Sequence, residues 1–121
     1  MRNLTETIDA HLVAYGEPDD ARRAALVKEI WAADGSLIDP PFDGTGHAGI
    51  AGLGAILQQH YAGHTFRRTT AVDAHHDYAR YGWDMLAPDG STVLSGIDVA
   101  EVNEDGTLRR VVGFFGPLAG R

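Results

Sequence analysis

Residues 91–116 read STVLSGIDVAEVNEDGTLRRVVGFFG. Two runs rich in β-branched and aromatic residues flank NEDG, a turn whose Gly106 is free to take positive φ, so the stretch reads as a β-hairpin. Alternation along the first run puts Leu94, Gly96, Asp98, Ala100 and Val102 on one face. That face is otherwise small and apolar and reads as the inner one. Aspartate is depleted in strands. One that turns inward loses water, and desolvation raises its pKa. Kept neutral, Asp98 can donate a hydrogen bond or a proton.

The same pattern extends upstream. Residues 64–76 (HTFRRTTAVDAHH) and 77–86 (DYARYGWDML) read as strands, and APDG, ending at Gly90, is a second hairpin turn. Tyr81, Trp83 and Met85 share a face, as do Val111, Gly113 and Phe115. Before residue 64 the period is helical. Leu4, Ile8, His11, Leu12 and Tyr15 predict a helix over 3–15 that stops at Gly16. A second, over 19–33, starts at an Asp19 or Asp20 cap and carries Ala24, Val27, Ile30 and Trp31 on its stripe. A third, over 46–62, carries Ile50, Leu53, Leu57 and Tyr61. Helices first and strands after give an α+β domain, residues 1–121, with helices on one face of a strongly bent antiparallel sheet.

Between the second and third helices lies SLIDPPFDGTGHAGI (36–50). A short strand, SLID, ends in Asp39 against Pro40 and Pro41. The prolines restrict the Asp39 backbone, so its carboxylate loses few conformations on being aimed. A plain turn acid bonded to nearby amides is the other reading.

Composition narrows the function classes. The 121 residues carry a net charge of −7 and no cysteine. The charge argues against nucleic acid as a partner. The missing cysteine removes disulfides, thiolate metal sites and a cysteine nucleophile. No apolar run reaches ~18 residues and no signal-peptide core is present, so neither a membrane partner nor export is expected, and the location expected is cytoplasmic.

Residues 36–53 (SLIDPPFDGTGHAGIAGL) and 95–116 (SGIDVAEVNEDGTLRRVVGFFG) resemble the nuclear-transport-factor-2-like superfamily, and within it the SnoaL-like and ketosteroid-isomerase-like proteins. The resemblance runs from the first helix to Phe115. It implies a cone of three helices closing over a bent sheet, with a pocket inside. In ketosteroid isomerases a strand-end Asp before Pro is the general base, a place taken here by Asp39. A second, protonated Asp, paired with a Tyr, forms the oxyanion hole, and Asp98 matches it. In SnoaL-type polyketide cyclases an Asp of the equivalent strand is the general acid/base. The isomerase's first-helix Tyr falls at His11, with Tyr15 one turn later, and its third-helix Tyr falls near Gly54. An epoxide-hydrolase-like set would be Asp39, Arg80 and Asp98, although alternation turns Arg80 away from Tyr81 and Trp83.

The expected catalytic residues are therefore Asp39, Asp98 and His11, with His11 as a proton shuttle or donor facing Asp98. The expected substrate wall is Tyr15, Leu53, Leu57, Tyr81, Trp83, Met85, Val111, Gly113 and Phe115. A capping role is expected for His47, and the rings of His75 and His76 are expected on opposite faces of a strand. No histidine pair has the i, i+4 spacing of helical zinc sites, so neither metal nor cofactor is expected. The chemistry implied is acid/base proton transfer next to a carbonyl of a small apolar or polyketide-like molecule, by isomerisation or cyclisation. The alternative is a non-catalytic ligand-binding or dimerising module of the same fold. A homodimer is expected, paired through the outer sheet face that carries Thr70, Arg80, Val99 and Val112.

Overall fold

A computed structural model describes residues 2–121. Three helices, α1 (Leu4–Tyr15), α2 (Asp20–Ile30) and α3 (Gly46–His60), pack on a curved seven-stranded sheet. The strands are β1 (Trp31–Asp39), β2 (Phe42–Thr45), β3 (Thr65–Arg68), β4 (Asp73–His75), β5 (Tyr78–Leu86), β6 (Thr92–Val102) and β7 (Leu108–Phe115). Their order is β2-β1-β7-β6-β5-β3, with β4 also paired to β5.

The helix starts follow capping chemistry. Asn3 caps α1 by accepting from the Glu6 amide while the Glu6 side chain accepts from the Asn3 amide. Asp19, not Asp20, caps α2. The buried stripe of α2 is Arg23, Val27 and Ile30, one residue off the expected Ala24, which is exposed. The Arg23 guanidinium finds its partners at the Glu17 carbonyl and the Asp20 carboxylate. A long aliphatic stem with a satisfied head can therefore hold a core position that composition assigns to alanine.

Two corrections concern the sheet. α2 stops at Ile30, and Trp31 opens a nine-residue β1 where only SLID reads as a strand. Trp31 is fully buried against Gly35, where a Cβ would lie 2.7 Å from its ring. The sheet is also mixed, because β1 runs parallel to β7, pairing Leu37 with Val111 and Ile38 with Val112. The 64–76 run is likewise two strands. It breaks at Thr69, whose amide bonds the Gly82 carbonyl, while the Thr70 hydroxyl accepts from the Gly82 amide. His76 then turns through a positive φ of 52°, which brings Nδ1 of His75 and His76 to 3.0 Å on the surface rather than to opposite faces.

The hairpin turns form as read, with Gly90 and Gly106 at positive φ. The β6 alternation also falls as read, with Gly96, Asp98 and Ala100 buried and Ile97 and Val99 facing out. Ile8, Leu12, Trp31, Leu37, Leu108 and Val111 centre the core. Leu53 and Val111, both expected in the substrate wall, are packed within it.

Candidate functional site

The parallel β1–β7 pairing builds the site. It carries the end of β1 alongside β7, and β7 lies beside β6. Asp98 faces Gly113 directly across β6 and β7, and Tyr81 across β6 and β5. Asp39 follows Ile38, the partner of Val112, so it arrives on the other side of Gly113. A Cβ on Gly113 would lie 2.6 Å from Asp39 Oδ1 and 3.0 Å from Asp98 Oδ1. The missing side chain is thus the space in which the two carboxylates meet. Alanine there would push at least one of them aside. A misplacement of about 1 Å can cost ~10²-fold in rate, whereas the overpacking costs ~1–3 kcal/mol. Gly113→Ala is expected to lose about 10²-fold activity while still unfolding cooperatively, which an assay and a urea melt would check together.

The acids are held differently. Both oxygens of Asp98 accept a bond, from Tyr81 Oη at 2.8 Å and from Trp83 Nε1 at 2.9 Å. Gly96 lets the Trp83 ring lie flat on β6, since a Cβ there would be 2.4 Å from it. Asp39 Oδ2 accepts from Tyr15 Oη on α1 at 3.0 Å, but Asp39 Oδ1 is buried with no partner. Buried polar atoms are nearly always satisfied, so an unpartnered carboxylate oxygen set across Gly113 from a second carboxyl is a functional signal. Asp98 is 6% exposed. Burial first, then the charge of Asp39, push its carboxyl up to about 7, against the hydrogen bonds from Tyr81 and Trp83. Burial also raises Asp39, opposed by the Tyr15 bond. Tyr15 and Tyr81 are held neutral by burial and by the neighbouring carboxylates.

A narrow cleft lined by His11, Tyr15, Leu37, Asp39, Trp83 and Asp98 adjoins a wider cavity of about 160 Å³. Asp39, Tyr15, Phe66 and Trp83 belong to both walls. Pro40, Pro41 and Phe42 from the β1–β2 turn, with Leu57, Tyr61, Met85, Leu94 and Phe115, form the outer wall. Of the expected wall, Tyr15, Leu57, Trp83, Met85 and Phe115 therefore line the cavity. Tyr81 stands one layer back as a donor to Asp98.

His11 stacks on Tyr15 at 5.8 Å and meets Trp31 edge-on at 5.5 Å. Burial lowers its pKa to about 4, so it is a neutral ring at the closed end of the cleft. The place that Gly54 leaves open is filled by the Arg23 stem, whose Cδ lies 2.5 Å from where a Cβ would be. Arg80 points outward to Asp73, so no Asp39–Arg80–Asp98 set is assembled. His47 bonds the Trp31 carbonyl at 2.7 Å and closes the end of α2 rather than the start of α3. Among the described residues, no three His, Asp or Glu side chains come together as ligands for a metal ion, and no helix is long and apolar enough to cross a membrane.

A solved structure of a proposed SnoaL-like isomerase from Agrobacterium tumefaciens superposes with a TM-score of 0.86 and 33% identity, over 92% of this chain and 95% of that one. The chain belongs to the SnoaL-like family. No family model matches it, and no curated protein matches it. Two more distant structures share the fold of this SnoaL-like chain. A superfamily protein from Salmonella enterica has a TM-score of 0.72 and 19% identity, over 97% of this chain and 91% of that one. A proposed SnoaL-like polyketide cyclase from a Jannaschia species has 0.67 and 13%, over 92% and 85%.

Proposed function

We propose that this SnoaL-like protein is an acid/base enzyme that moves a proton next to a carbonyl. The observation that carries the proposal is the unpartnered, buried Asp39 Oδ1 beside Asp98 at the end of an apolar cavity. Asp39 is the base, because its side chain lines the cavity and one of its oxygens has no hydrogen-bond partner among the described residues. Asp98 stabilises the enolate, because its raised pKa keeps a proton to donate near neutral pH. Tyr15 orients Asp39, while Tyr81 and Trp83 orient Asp98. His11, neutral, closes the cleft and supplies a ring nitrogen beside the pair.

Activity should follow a bell. It rises as Asp39 ionises, above the usual carboxylate range, and falls as Asp98 loses its proton near pH 7. A rate that kept climbing to pH 9 would remove Asp98 from the donor role. A cyclisation would use Asp98 without needing Asp39 as base. The non-catalytic reading draws on one observation, that both Asp98 oxygens are already satisfied.

We further propose that the protein is a homodimer paired through the outer sheet face. Val99 lies opposite Val112 and Ile97 opposite Phe114, and Phe114 is 57% exposed. Arg80 and Thr70 lie at the margin, one paired with Asp73 and the other bonded to Gly82. Light scattering should give twice the 13.0 kDa chain mass; a monomer mass at micromolar concentration would contradict it.

A further inference from the structure

We infer that the site takes a carbonyl compound about one ring in size that carries no negative charge; the inference rests on the acid/base reading above. Size comes first. The cavity holds about 160 Å³, well below the ~300 Å³ at which clefts for drug-sized ligands begin. A dry apolar cavity of about 150 Å³ takes up one benzene ring, so this one has room for a single ring. The Trp83 and Phe66 rings, 5.9 Å apart and edge to face, wall the inner side, and Phe115 meets Trp83 at 6.0 Å on the other. A fused multi-ring body could not be held within this space and would extend past Phe42, Tyr61 and Phe115, which are exposed at the mouth. The Arg23 stem over Gly54 closes the direction past α1 and α3.

Charge comes second. The cleft and cavity walls contain two carboxyls and no Lys or Arg. Their one basic side chain, His11, is buried and uncharged. Nothing there can pair with a substrate carboxylate or phosphate, and the ionised Asp39 repels one.

The test follows exchange of the α-protons of four ketones in D₂O by NMR, with Asp39→Asn as baseline. The ketones are cyclohexanone, methyl 4-oxocyclohexanecarboxylate, the free 4-oxocyclohexanecarboxylate and a steroid 3-ketone. Binding is read in parallel from the Trp83 indole N–H shift. The expected result is exchange of cyclohexanone and the ester, with the free acid at least tenfold slower and weaker to bind and the steroid inert. A steroid that exchanges faster than cyclohexanone, or an acid that matches its ester, would overturn the inference and leave the acid/base reading standing. If cyclohexanone binds in preference to the acid and the steroid but none exchanges, the inference stands and the acid/base reading falls. If no ketone binds or exchanges, both fall.

Discussion

Asp39→Asn is expected to lower the rate of proton transfer by about 10²–10⁴-fold, the range that a positioned general base contributes. Asn can still accept from Tyr15 through its amide oxygen, so the fold and the cavity should survive. What disappears is the basic lone pair at Oδ1, an atom with no hydrogen-bond partner among the described residues. Asp98→Asn should cost less, about 10–10²-fold, because an amide still donates to an enolate although less strongly than a neutral carboxylic acid. Removing one oxyanion donor outright costs ~10²–10³-fold. The order of the two losses matters more than their sizes. If Asp98→Asn is the severe one and Asp39→Asn is nearly silent, the chemistry is a cyclisation run by Asp98 alone. Equal activity in all three proteins would leave only a binding module.

The second large effect is on stability against pH, and it is hidden in the wild type. Asp98 keeps its proton in the folded chain up to about pH 7, whereas the unfolded chain loses it near 3.8. Its contribution is therefore full below 3.8 and drains away as pH rises to 7. His11 works in the opposite sense. Folded, it protonates only near 4; unfolded, near 6.5. Its contribution is absent below 4 and complete above 6.5. At 1.36 kcal/mol per pH unit, each swing is on the order of 3–4 kcal/mol and they run against each other. Asp39, also raised, adds to the Asp98 side. The wild-type urea midpoint should thus be nearly flat or fall slightly between pH 4 and 7. Asp98→Asn should unmask a rise across that window, and His11→Phe a fall. Three parallel curves would mean that neither group is desolvated as described.

Much of this was legible in the sequence, for reasons that can be named. The β6 register was readable because Gly96, Asp98 and Ala100 alternate against Ile97 and Val99, and an inward acid on a small-residue face has few explanations. Asp39 stood out because two prolines fix the chain beside it. Less was legible where contacts are distant in sequence. Nothing local announces that β1 runs parallel to β7, yet that pairing puts Asp39 and Asp98 on either side of Gly113. Trp31 continued a helical spacing, and only the ring-on-glycine contact with Gly35 explains its place in a strand. In sequence Tyr81 and Trp83 read as wall, because a hydroxyl or an indole N–H shows its use only when its acceptor is located. Arg23 gives no core signal in sequence, because charge at a core position is explained only by the Glu17 carbonyl and Asp20 around it. The signal that marks Tyr81 is a donor at an inward strand position, paired across the sheet with an inward acid.

The central claim is that Asp98 and Asp39 form a desolvated pair in which Asp98 carries the proton at neutral pH. Carboxyl carbon shifts followed by NMR from pH 3 to 9 test it without any substrate. The account predicts a midpoint for Asp98 near 7, lowered when Asp39 is changed to Asn, and one for Asp39 above the usual carboxylate range. Independent titration of both groups near pH 4 would contradict it.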